Sequence, residues 1–369
     1  MTLSIVHTES STGWGGQEIR ILTEMAGMRA RGHRVMLLTP EDAQIHAAAV
    51  HRGLPVEAID VGRKNYAGFH AIRAWLSRNR SGVDVINTHS STDSWLAALA
   101  CASGTHAPPI VRTRHLSTRV NRSPATRWLY QRATRHIVVT GEALRTQLIR
   151  DNGYDPARIT SVRTGIDLHQ FRPLDKAAMR SRLAVDPRPA LGIVATLRDW
   201  KGHDDLLDAW DTLARRGLDW QLLIIGDGPQ RARLEGRVQA MRLTGSVRFD
   251  GNQDDVPAWL ACLELVALPS FGEEGVPQSL MQAAACGVPA VATPIGAIAE
   301  AVIDGRTGLL VPPRNPTALA DALDRMMRNA QLRAAMGEAA HAYAQENFGI
   351  DGMLDAMEQI FARAAAWKR

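Results

Sequence analysis

Short apolar runs alternate with longer amphipathic stretches along the whole chain. Five runs in the first half predict β-strands at residues 3–7, 34–39, 84–88, 109–113 and 135–140. Five more predict strands at residues 190–197, 220–225, 246–250, 264–269 and 288–293. The stretches between them, such as 16–31 and 91–101, have the apolar spacing of helices. Strands that alternate with helices indicate βαβ units and parallel sheets.

The two series of strands predict two doubly wound α/β domains with a cleft between them. The uninterrupted apolar run at 222–225 suits a strand that is buried on both faces of a parallel sheet. Because the series join near residues 164–187, we assign a first domain to residues 1–168 and a second domain to residues 169–350. The last segment, 351–369, has a helical period over 351–367 and could pack on either domain.

The composition agrees with two domains and excludes several classes of protein. The chain has 369 residues, more than twice the ~150 residues of a typical domain. Its 45% hydrophobic and 22% charged residues are normal for a globular protein and exclude a mainly disordered chain. Cys101, Cys262 and Cys286 show no pairing pattern, so we expect them to be buried small side chains in a reducing compartment.

Membrane-spanning and secreted classes are also disfavoured. No run reaches the ~18 uncharged apolar residues of a membrane span. The first residues lack the basic segment that begins a signal peptide. We therefore expect a soluble, cytoplasmic protein.

The net charge of +5 is unevenly distributed. Residues 1–168 contain 21 basic and 13 acidic side chains, which gives +8. Residues 169–369 contain 22 basic and 25 acidic side chains, which gives −3. Such asymmetry favours an anionic partner for the first half. Nucleic acid, a membrane surface and a phosphorylated substrate all meet this requirement.

The loops that follow strands are the candidates for chemistry, because ligands of open parallel sheets bind beside the carboxyl ends of strands. After the first strand, a glycine-rich loop opens a helix, where a ligand can approach the backbone closely and reach N–H groups; its glycines are Gly13, Gly15 and Gly16. After the first strand of the second domain, Arg198 and Lys201 suit a diphosphate. For the glycine-rich loop, the alternative is a tight turn without a ligand. For Arg198 and Lys201, the alternative is a pair of solvated surface charges. Gly226 and Gly228 form a later turn that is either near a nucleotide or purely structural.

The most specific segment is LPSFGEEGVPQSLMQAAACGVP, residues 268–289. A loop with Glu273, Glu274 and Gly275 follows a strand, and Pro277 is predicted to begin a helix. The first N–H groups of that helix would form an anion site; they belong to Gln278 and Ser279. Glu274 could accept hydrogen bonds from sugar hydroxyls, and Gln282, about one turn into the helix, could bind a ribose diol.

Together these segments resemble the retaining, nucleotide-sugar-dependent glycosyltransferases of family 4, which have the GT-B architecture. The resemblance extends over nearly the whole chain. It rests on the order and spacing of GWGGQE, RGHRVMLL, DVINTHS, VRTGIDLHQF, LRDWKGH, IIGDGP, VRFDGNQDDVP and EGVPQSLMQAAACGVP. It implies two Rossmann-like domains that face each other across a cleft, with the donor held mainly by the second domain. It also implies that the final helix, within 351–369, crosses back to the first domain.

The resemblance further implies a role for each matching residue. Arg198 and Lys201 would neutralise the diphosphate leaving group. Glu274 would bind hydroxyls of the transferred sugar, and His115 would lie close to that sugar. These four are the predicted catalytic residues. The predicted donor-binding residues are Gly15, Gly16, Gly226, Gly251, Asn252, Gln253, Gly275, Val276, Pro277, Gln278, Ser279 and Gln282.

Three positions depart from the family's pattern. Gln282 stands where the family has the second of two glutamates eight residues apart, so hydrogen bonding to the ribose is kept and a charge is lost. Thr196 stands where the family has a phosphate-binding arginine, and Arg198 is its nearest substitute. Thr164 replaces the asparagine that commonly precedes Gly165.

No metal and no other cofactor are predicted. The negative charge that develops on a departing diphosphate needs cations or N–H dipoles directed at it. The chain contains neither the Asp-x-Asp pair of metal-dependent glycosyltransferases nor the His/Cys spacing of a zinc site. Arg198, Lys201 and the helix start at Pro277 would serve instead. We interpret His33 and His89 as structural, hydrogen-bonded histidines.

Residues 94–141 contain no Asp or Glu but seven Arg, interleaved with Trp95, Trp128 and Tyr130. The segment 123–135 predicts a basic amphipathic helix with Trp128 and Leu129 as anchors, and such helices favour anionic membrane surfaces. The alternative is a solvated face with Trp128 in the core. Nucleic acid is not expected, because no nucleic-acid-binding motif is present. The residues predicted to contact membrane or acceptor are Arg112, Arg114, Arg119, Arg122, Arg127 and Trp128.

The leading hypothesis is a metal-independent, retaining glycosyltransferase that is peripheral on the inner face of the cytoplasmic membrane. Its donor would be a nucleoside-diphosphate sugar. Its acceptor would be a glycan or a lipid-linked intermediate of bacterial lipopolysaccharide or polysaccharide synthesis. One alternative is a non-catalytic, nucleotide-sugar-binding or scaffold subunit with the same fold. The other is the same transferase with a soluble acceptor.

Overall fold

The alternating strands and helices build two parallel sheets in the structure, a computed structural model that describes residues 1–79, 82–104, 107–115, 118–272 and 274–366. The chain divides into two compact units. The first unit comprises Met1–Gly165 and Asp351–Arg369, and the second comprises Ile166–Ile350. The predicted α/β fold class, with two doubly wound domains, is confirmed.

The sheet of the first unit has seven strands in the order β3-β2-β1-β4-β5-β6-β7, so the first strand lies inside the sheet and the order reverses beside it. Its strands are β1 Ser4–Thr8, β2 Arg34–Thr39, β3 Val56–Ala58, β4 Val85–Thr88, β5 Ile110–Arg114, β6 Thr134–Val139 and β7 Ile159–Ser161. Its helices are α1 Gly16–Ala30, α2 Gln44–His51, α3 Tyr66–Arg78, α4 Ser91–Ala102, α5 Pro124–Trp128 and α6 Glu142–Asn152.

The sheet of the second unit has six strands in the equivalent order, β10-β9-β8-β11-β12-β13. Its strands are β8 Ala190–Val194, β9 Gln221–Ile225, β10 Val247–Gly251, β11 Leu265–Leu268, β12 Ala290–Ala292 and β13 Gly308–Leu310. Its helices are α7 Lys176–Arg182, α8 His203–Arg215, α9 Arg231–Ala240, α10 Val256–Ala261, α11 Gln278–Ala285, α12 Pro316–Arg328 and α13 Ala330–Asn347. Every residue of β9 is buried, as its apolar run predicts.

Side-chain caps fix where several of these helices begin. The side chain of Asn315 accepts a hydrogen bond from the backbone N–H of Ala318, and Pro316 occupies the first turn of α12. Asn329 caps α13 in the same way through the N–H of Leu332. Such caps satisfy backbone donors that a helix start leaves without an intrahelical partner.

The last helix, α14 Ile350–Ala365, packs on the first unit. Leu354 lies so close to Gly27 of α1 that a β-carbon on Gly27 would be 2.4 Å from its Cδ1 atom. Arg31 donates hydrogen bonds to Asp355 at 2.7 Å and to Glu358 at 3.0 Å. The small residue on α1 and the charged pairs beside it therefore seat the final helix. Trp367, the end of the predicted helix, lies outside the described residues.

The three strands that the sequence pattern misses are β3, β7 and β13. Each has three residues, and β3 and β7 contain polar residues that break the apolar run. β3, β7 and β13 lie at sheet edges, where pairing on one side demands less apolar character. The three cysteines are buried, in agreement with their interpretation as small apolar side chains.

Candidate functional site

Loops that follow β8, β9, β11 and β12 gather at one edge of the second sheet, because carboxyl ends of parallel strands share an edge. Glycines let these loops touch. Gly202 has a φ of 78°, and a β-carbon there would lie 2.1 Å from the carbonyl oxygen of Pro269. Gly296 has a φ of 59°, and a β-carbon there would lie 2.0 Å from the carbonyl oxygen of Glu274. Only glycine allows these approaches without strain.

Two predicted catalytic residues meet at this edge. The ammonium of Lys201, which ends a short 3₁₀ turn after β8, lies 2.6 Å from Oε1 of Glu274 in the loop after β11. The hydroxyl of Ser270 donates to the same carboxylate oxygen at 2.9 Å. Both charged side chains are largely buried, with 19% and 11% of their areas exposed. An ammonium has three donor hydrogens, so Lys201 can hold Glu274 and still donate to an anionic ligand.

The second predicted cation, Arg198, is exposed and has its guanidinium 5.3 Å from the ring centroid of Trp200. The backbone of Trp200 accepts a hydrogen bond from the N–H of Phe271 at 2.8 Å, which ties this loop to the loop after β11. A β-carbon on Gly272 would lie 2.5 Å from Cβ of Trp200. Arg198 is thus held at the same edge as Lys201 by the indole that it covers.

The helix after the Glu274 loop begins one residue later than predicted. Pro277 precedes α11 with extended backbone angles (φ −69°, ψ 124°), and the first helical residue is Gln278. The prediction that Pro277 is the first helical residue is therefore wrong, and the first turn begins with Gln278 and Ser279. Gln282 is half-buried one turn further along. Gly275 and Val276 lie in the connecting loop, and Glu273 lies outside the described residues.

The predicted base-binding loop is held by its own side chains. Gln253 accepts a hydrogen bond from the indole N–H of Trp259 at 2.9 Å and donates to the carbonyl oxygen of Asp250 at 2.6 Å. Gly251 has a φ of 70°, which favours glycine, and Asn252 is exposed beside it. The N–H of Gly226 donates to the carbonyl oxygen of Gly251 at 2.8 Å. Gly226, Gly251 and Gln253 are therefore brought together by backbone and amide hydrogen bonds.

The glycine loop of the first unit leads into α1, whose first residue is Gly16 after the extended Gly15. Two carboxylates lie at this point. The carboxylate of Glu18 accepts a hydrogen bond from the backbone N–H of Gly15, and burial raises its pKa. Glu9, directly after β1, is fully buried and accepts from the N–H of Ser11 at 2.7 Å. Burial, with the charge of Asp93, raises the pKa of Glu9 to about 8.

Three histidines at the carboxyl ends of three adjacent strands of the first sheet form a continuous hydrogen-bonded chain. Nδ1 of His7, in β1, lies 3.0 Å from Nε2 of His89, which follows β4. Nδ1 of His89 lies 3.0 Å from Nε2 of His115, which follows β5. Burial, together with the charge of Arg20, lowers the pKa of His7 to about 3. Burial also holds the pKa values of His89 and His115 well below the usual value.

The acid-free, arginine-rich run at residues 94–141 does not lie wholly on the surface. Arg112 is buried in β5, with its guanidinium 4.4 Å from the ring centroid of Tyr130. Arg114, two residues along, is half-buried and donates to the Tyr130 hydroxyl at 2.9 Å. Alternate residues of a strand share a face, so both arginines reach one tyrosine. The buried side chain of Arg112 is out of reach of a membrane surface, so that part of its prediction is wrong, whereas its contact with an acceptor stays a prediction.

The predicted amphipathic helix at 123–135 is shorter than expected. α5 continues as a turn of π-helix, Leu129–Ala133, and β6 begins at Thr134. Leu129 is buried, so it cannot anchor the chain in a membrane. Trp128 is half-buried and stacks on Trp95, with the ring centroids 6.1 Å apart. Both predicted anchors therefore pack against other residues of the first unit.

Some of the arginines that face outwards line a depression. Arg119, Arg122 and Arg127 are exposed. A depression of about 450 Å³ is lined by Arg119, Val120, Arg122, Gln147, Arg150, Asp151 and Asn152. The pKa of Asp151 is lowered by its hydrogen bond with Arg150 and by the charges of Arg122 and Arg119. Three cations therefore converge on one carboxylate.

Within the described ranges, no three or more His, Cys, Asp or Glu side chains are grouped so that they could hold a metal ion. No helix in the same ranges has the length and apolar character needed to cross a bilayer. The absence of a metal from the reaction remains a prediction.

Two doubly wound parallel sheets, each with polar loops at its carboxyl edge, define a protein of the GT-B class. The chain matches the family described as Glycosyltransferase Family 4 over residues 14–170. It matches the family described as glycosyl transferases group 1 over residues 188–329. The chain belongs to family 4 of the glycosyltransferases.

Individual relatives agree with this assignment. The chain is 29% identical over 379 residues to an alpha-D-kanosaminyltransferase of Streptomyces kanamyceticus, covering 92% of this chain and 97% of that protein. It is 33% identical over 306 residues to a D-inositol 3-phosphate glycosyltransferase of Saccharomonospora viridis, covering 79% and 67%. The crystal structure of Anabaena HepE in complex with UDP and glucose superposes with a TM-score of 0.84 at 21% identity, covering 98% and 99%.

Several residues at these edges were missed by the sequence reasoning. Glu9 and His7 were given no role, and His89 was interpreted only as structural. A signal was nevertheless present, because each residue lies at or just after the end of one of two neighbouring strands, β1 and β4. The pairing of Lys201 with Glu274 was also missed, since 73 residues separate the two.

Proposed function

We propose that this glycosyltransferase moves a sugar from a nucleoside-diphosphate donor to a hydroxyl of a glycan or lipid-linked acceptor, with retention and without a metal. The observation that carries the proposal is the contact between Lys201 and Glu274 beside the first turn of α11. It puts a cation, a carboxylate and helical N–H groups at one sheet edge. The relative HepE, whose crystal structure holds UDP and glucose, supports a nucleotide-sugar donor.

The chemistry assigns a task to each group. The bond between the anomeric carbon and the diphosphate oxygen breaks, and its electron pair stays on the diphosphate. The acceptor oxygen bonds to the anomeric carbon, and its proton passes to the departing diphosphate. Lys201 and Arg198 stabilise the charge that develops on that diphosphate, and Glu274 accepts hydrogen bonds from hydroxyls of the sugar. Gln282 binds the ribose through its amide.

Nucleotide binding tests the donor site before any acceptor is known. We expect UDP, GDP or ADP to raise the melting temperature of the protein, since a ligand of the folded state stabilises it by mass action. Lys201→Ala removes most of this shift. Lys176→Ala is the matched control, because Lys176 also pairs with a glutamate, Glu264 at 2.8 Å, in the same unit. A scaffold without a nucleotide site would show no shift with any of the three.

The acceptor half of the proposal rests on the basic first unit. We propose that the exposed arginines at the depression hold the protein on the anionic inner face of the cytoplasmic membrane. A lipid-linked intermediate of bacterial lipopolysaccharide or polysaccharide synthesis would be within reach there. Each basic residue near such a surface contributes about 1 kcal/mol. A small phosphorylated acceptor is the competing possibility, as the name of the relative from Saccharomonospora viridis illustrates.

Flotation with vesicles separates these two cases. We expect binding to vesicles that contain anionic lipid and release as salt rises, because salt screens surface charges. Arg119→Ser/Arg122→Ser weakens binding. Arg215→Ser/Arg325→Ser, which removes the same charge from exposed positions in the second unit, leaves it unchanged. Equal behaviour of the two double variants would remove the membrane claim and leave the soluble-acceptor transferase.

A further inference from the structure

The family resemblance puts His115 close to the transferred sugar, and nothing so far gives a role to the two imidazoles behind it. His7, His89 and His115 are joined by contacts of 3.0 Å between ring nitrogens, and the His7 and His89 rings stack with their planes 11° apart. Their low pKa values keep all three rings neutral near pH 7. A neutral imidazole has one N–H donor and one acceptor nitrogen. Each ring's tautomer therefore dictates that of the next ring.

Only two arrangements satisfy both contacts. In the first, His115 donates from Nε2 to His89, and His89 donates from Nε2 to His7, so the Nε2 of His7 also carries a proton. In the second, His7 donates from Nδ1 to His89, and His89 donates from Nδ1 to His115. The second arrangement leaves the Nε2 of His7 as a lone pair and puts a proton on Nδ1 of His115.

The surroundings of His7 select the second arrangement. Its Nε2 atom is buried and has no hydrogen-bond partner among the described residues. A buried N–H without an acceptor is costly. The charge of Arg20, fully buried and 3.5 Å from Glu24, acts on all three rings. A positive charge repels an unpaired N–H and attracts a lone pair. Nε2 of His7, at the inner end of the three-histidine chain, therefore carries a lone pair and no proton.

We infer that His7 and His89 are positioning residues that hold His115 in its Nδ1–H tautomer, so that its half-buried ring can donate a hydrogen bond to a hydroxyl of the transferred sugar. The sugar contact rests on the proposed function, whereas the tautomer does not. Because the three imidazoles are neutral, the three-histidine chain orients a hydrogen-bond donor towards the sugar.

The carboxylate of Asp93 fixes the position of the three-histidine chain relative to the strands. One of its carboxylate oxygens accepts from the hydroxyl of Thr8 at 2.6 Å and from the backbone N–H of His89 at 2.9 Å. The other accepts from the N–H of Ser90 at 2.9 Å. Asp93 thereby joins the residue after His7 to His89 itself, and fixes the separation of the two rings.

Nitrogen-15 NMR of the imidazole rings tests the tautomer directly, without any substrate. Single histidine substitutions assign the signals. We expect the His115 signals of the Nδ1–H form in the wild-type protein, and a mixture of both forms in His89→Leu. The Nε2–H form at His115 in the wild-type protein would overturn the inference, and so would an unchanged tautomer in the variant.

Kinetics test whether the tautomer matters for transfer. We expect His89→Leu to lower kcat about tenfold, the effect of one lost hydrogen bond, and to leave the KM for the donor within about twofold. His7→Leu is the second variant and should act in the same direction, since the His7 ring already packs edge-to-face on Phe361. His33→Gln is the matched control. His33 is also a buried, hydrogen-bonded histidine of this unit, 3.1 Å from the N–H of Leu3, and its substitution should leave kcat unchanged.

The NMR and kinetic measurements distinguish a failure of the tautomer inference from a failure of the proposed function. If no donor is turned over but the NMR signals show the expected tautomer, the proposed function fails and the tautomer assignment stands. If transfer is observed and neither variant lowers kcat, the positioning role is wrong and the transferase remains.

Discussion

Lys201 and Glu274 hold opposite charges in contact, and both side chains are mostly shielded from water. A shielded charge that loses its partner is costly, because the remaining ion is still desolvated. The same contact therefore contributes to folding as well as to the proposed chemistry. Substitutions at the two positions can separate these contributions.

We predict that Lys201→Met lowers the free energy of unfolding by about 1–3 kcal/mol, since it leaves the Glu274 carboxylate without its cation. The double variant Lys201→Met/Glu274→Gln should recover more than half of this loss, because the amide removes the unpaired charge. Urea unfolding of the two single variants and the double variant measures the coupling. Transfer activity should be lost in all three. Purely additive stability losses would show that the contact does not stabilise the fold.

Glu9 supplies a second residue-scale prediction, on pH. Burial raises the pKa of this carboxyl from 4.5 to about 8, so the folded protein keeps a proton that the unfolded chain releases. The stabilisation by this group is complete below pH 4.5 and is lost as the pH rises towards 8. Glu9→Gln, which needs no proton, should match the wild type near pH 4.5. It should be more stable than the wild type by a few kcal/mol above pH 8.

Chemical denaturation at pH 4.5, 6.5 and 8.5 checks the Glu9 prediction. Glu338→Gln, on an exposed glutamate of α13, is the control and should show no such pH-dependent difference. A stability difference for Glu9→Gln that is constant with pH would contradict the assignment of a buried, protonated Glu9.

At the scale of elements, α14 shows how one small residue seats a helix. Gly27 has no side chain at the point where Leu354 reaches α1. Leu354 is itself buried, so it has little room to move away. The charged contacts of Arg31 with Asp355 and Glu358 lie on the more exposed side and contribute less. Packing at Gly27 is therefore the main determinant of this docking.

We predict that Gly27→Ala lowers the free energy of unfolding by about 1–3 kcal/mol through overpacking, and that Leu354→Ala introduced with it restores part of the loss. Gly236→Ala in α9 is the matched control. A β-carbon on Gly236 meets nothing within 4 Å, so alanine should stabilise that helix by up to about 1 kcal/mol. Thermal unfolding of the three variants measures both effects. Equal behaviour of the two glycine substitutions would contradict the packing argument.

The elements also show what a sequence pattern can predict. The runs that became β1, β2, β4, β8 and β9 were found because central strands of parallel sheets are apolar on both faces. β3, β7 and β13 were missed because edge strands of three residues carry too little of this pattern. The helix expected at 123–135 ended early, because Thr134 enters β6 and strand pairing prevails over helical spacing.

At the scale of the whole molecule, the arginines that make the first half of the chain basic fall into two classes, those that are buried or half-buried and those that are exposed. Arg112 and Arg114 lie on the same face of β5 and both contact Tyr130. Arg119 and Arg122 line the depression on the surface. The acid-free run was visible in the sequence, but the direction of each side chain was not, since it depends on the pairing of β5 with its neighbours. The order of the motifs along the chain was enough to identify the family. It could not reveal contacts between distant loops, such as the one between Lys201 and Glu274. Order along the chain is preserved in a sequence, and contacts between distant loops are not.

Release of nucleoside diphosphate is the most direct test of the central claim. The purified protein is given common nucleotide sugars and a membrane fraction as acceptor, with EDTA present, and wild type is compared with Lys201→Ala and Lys176→Ala. We predict release by the wild type and by Lys176→Ala, and a decrease of about 100-fold or more in Lys201→Ala, the size of effect seen when one stabilising group is removed. No release with any donor, or equal release by Lys201→Ala and the wild type, would contradict the account.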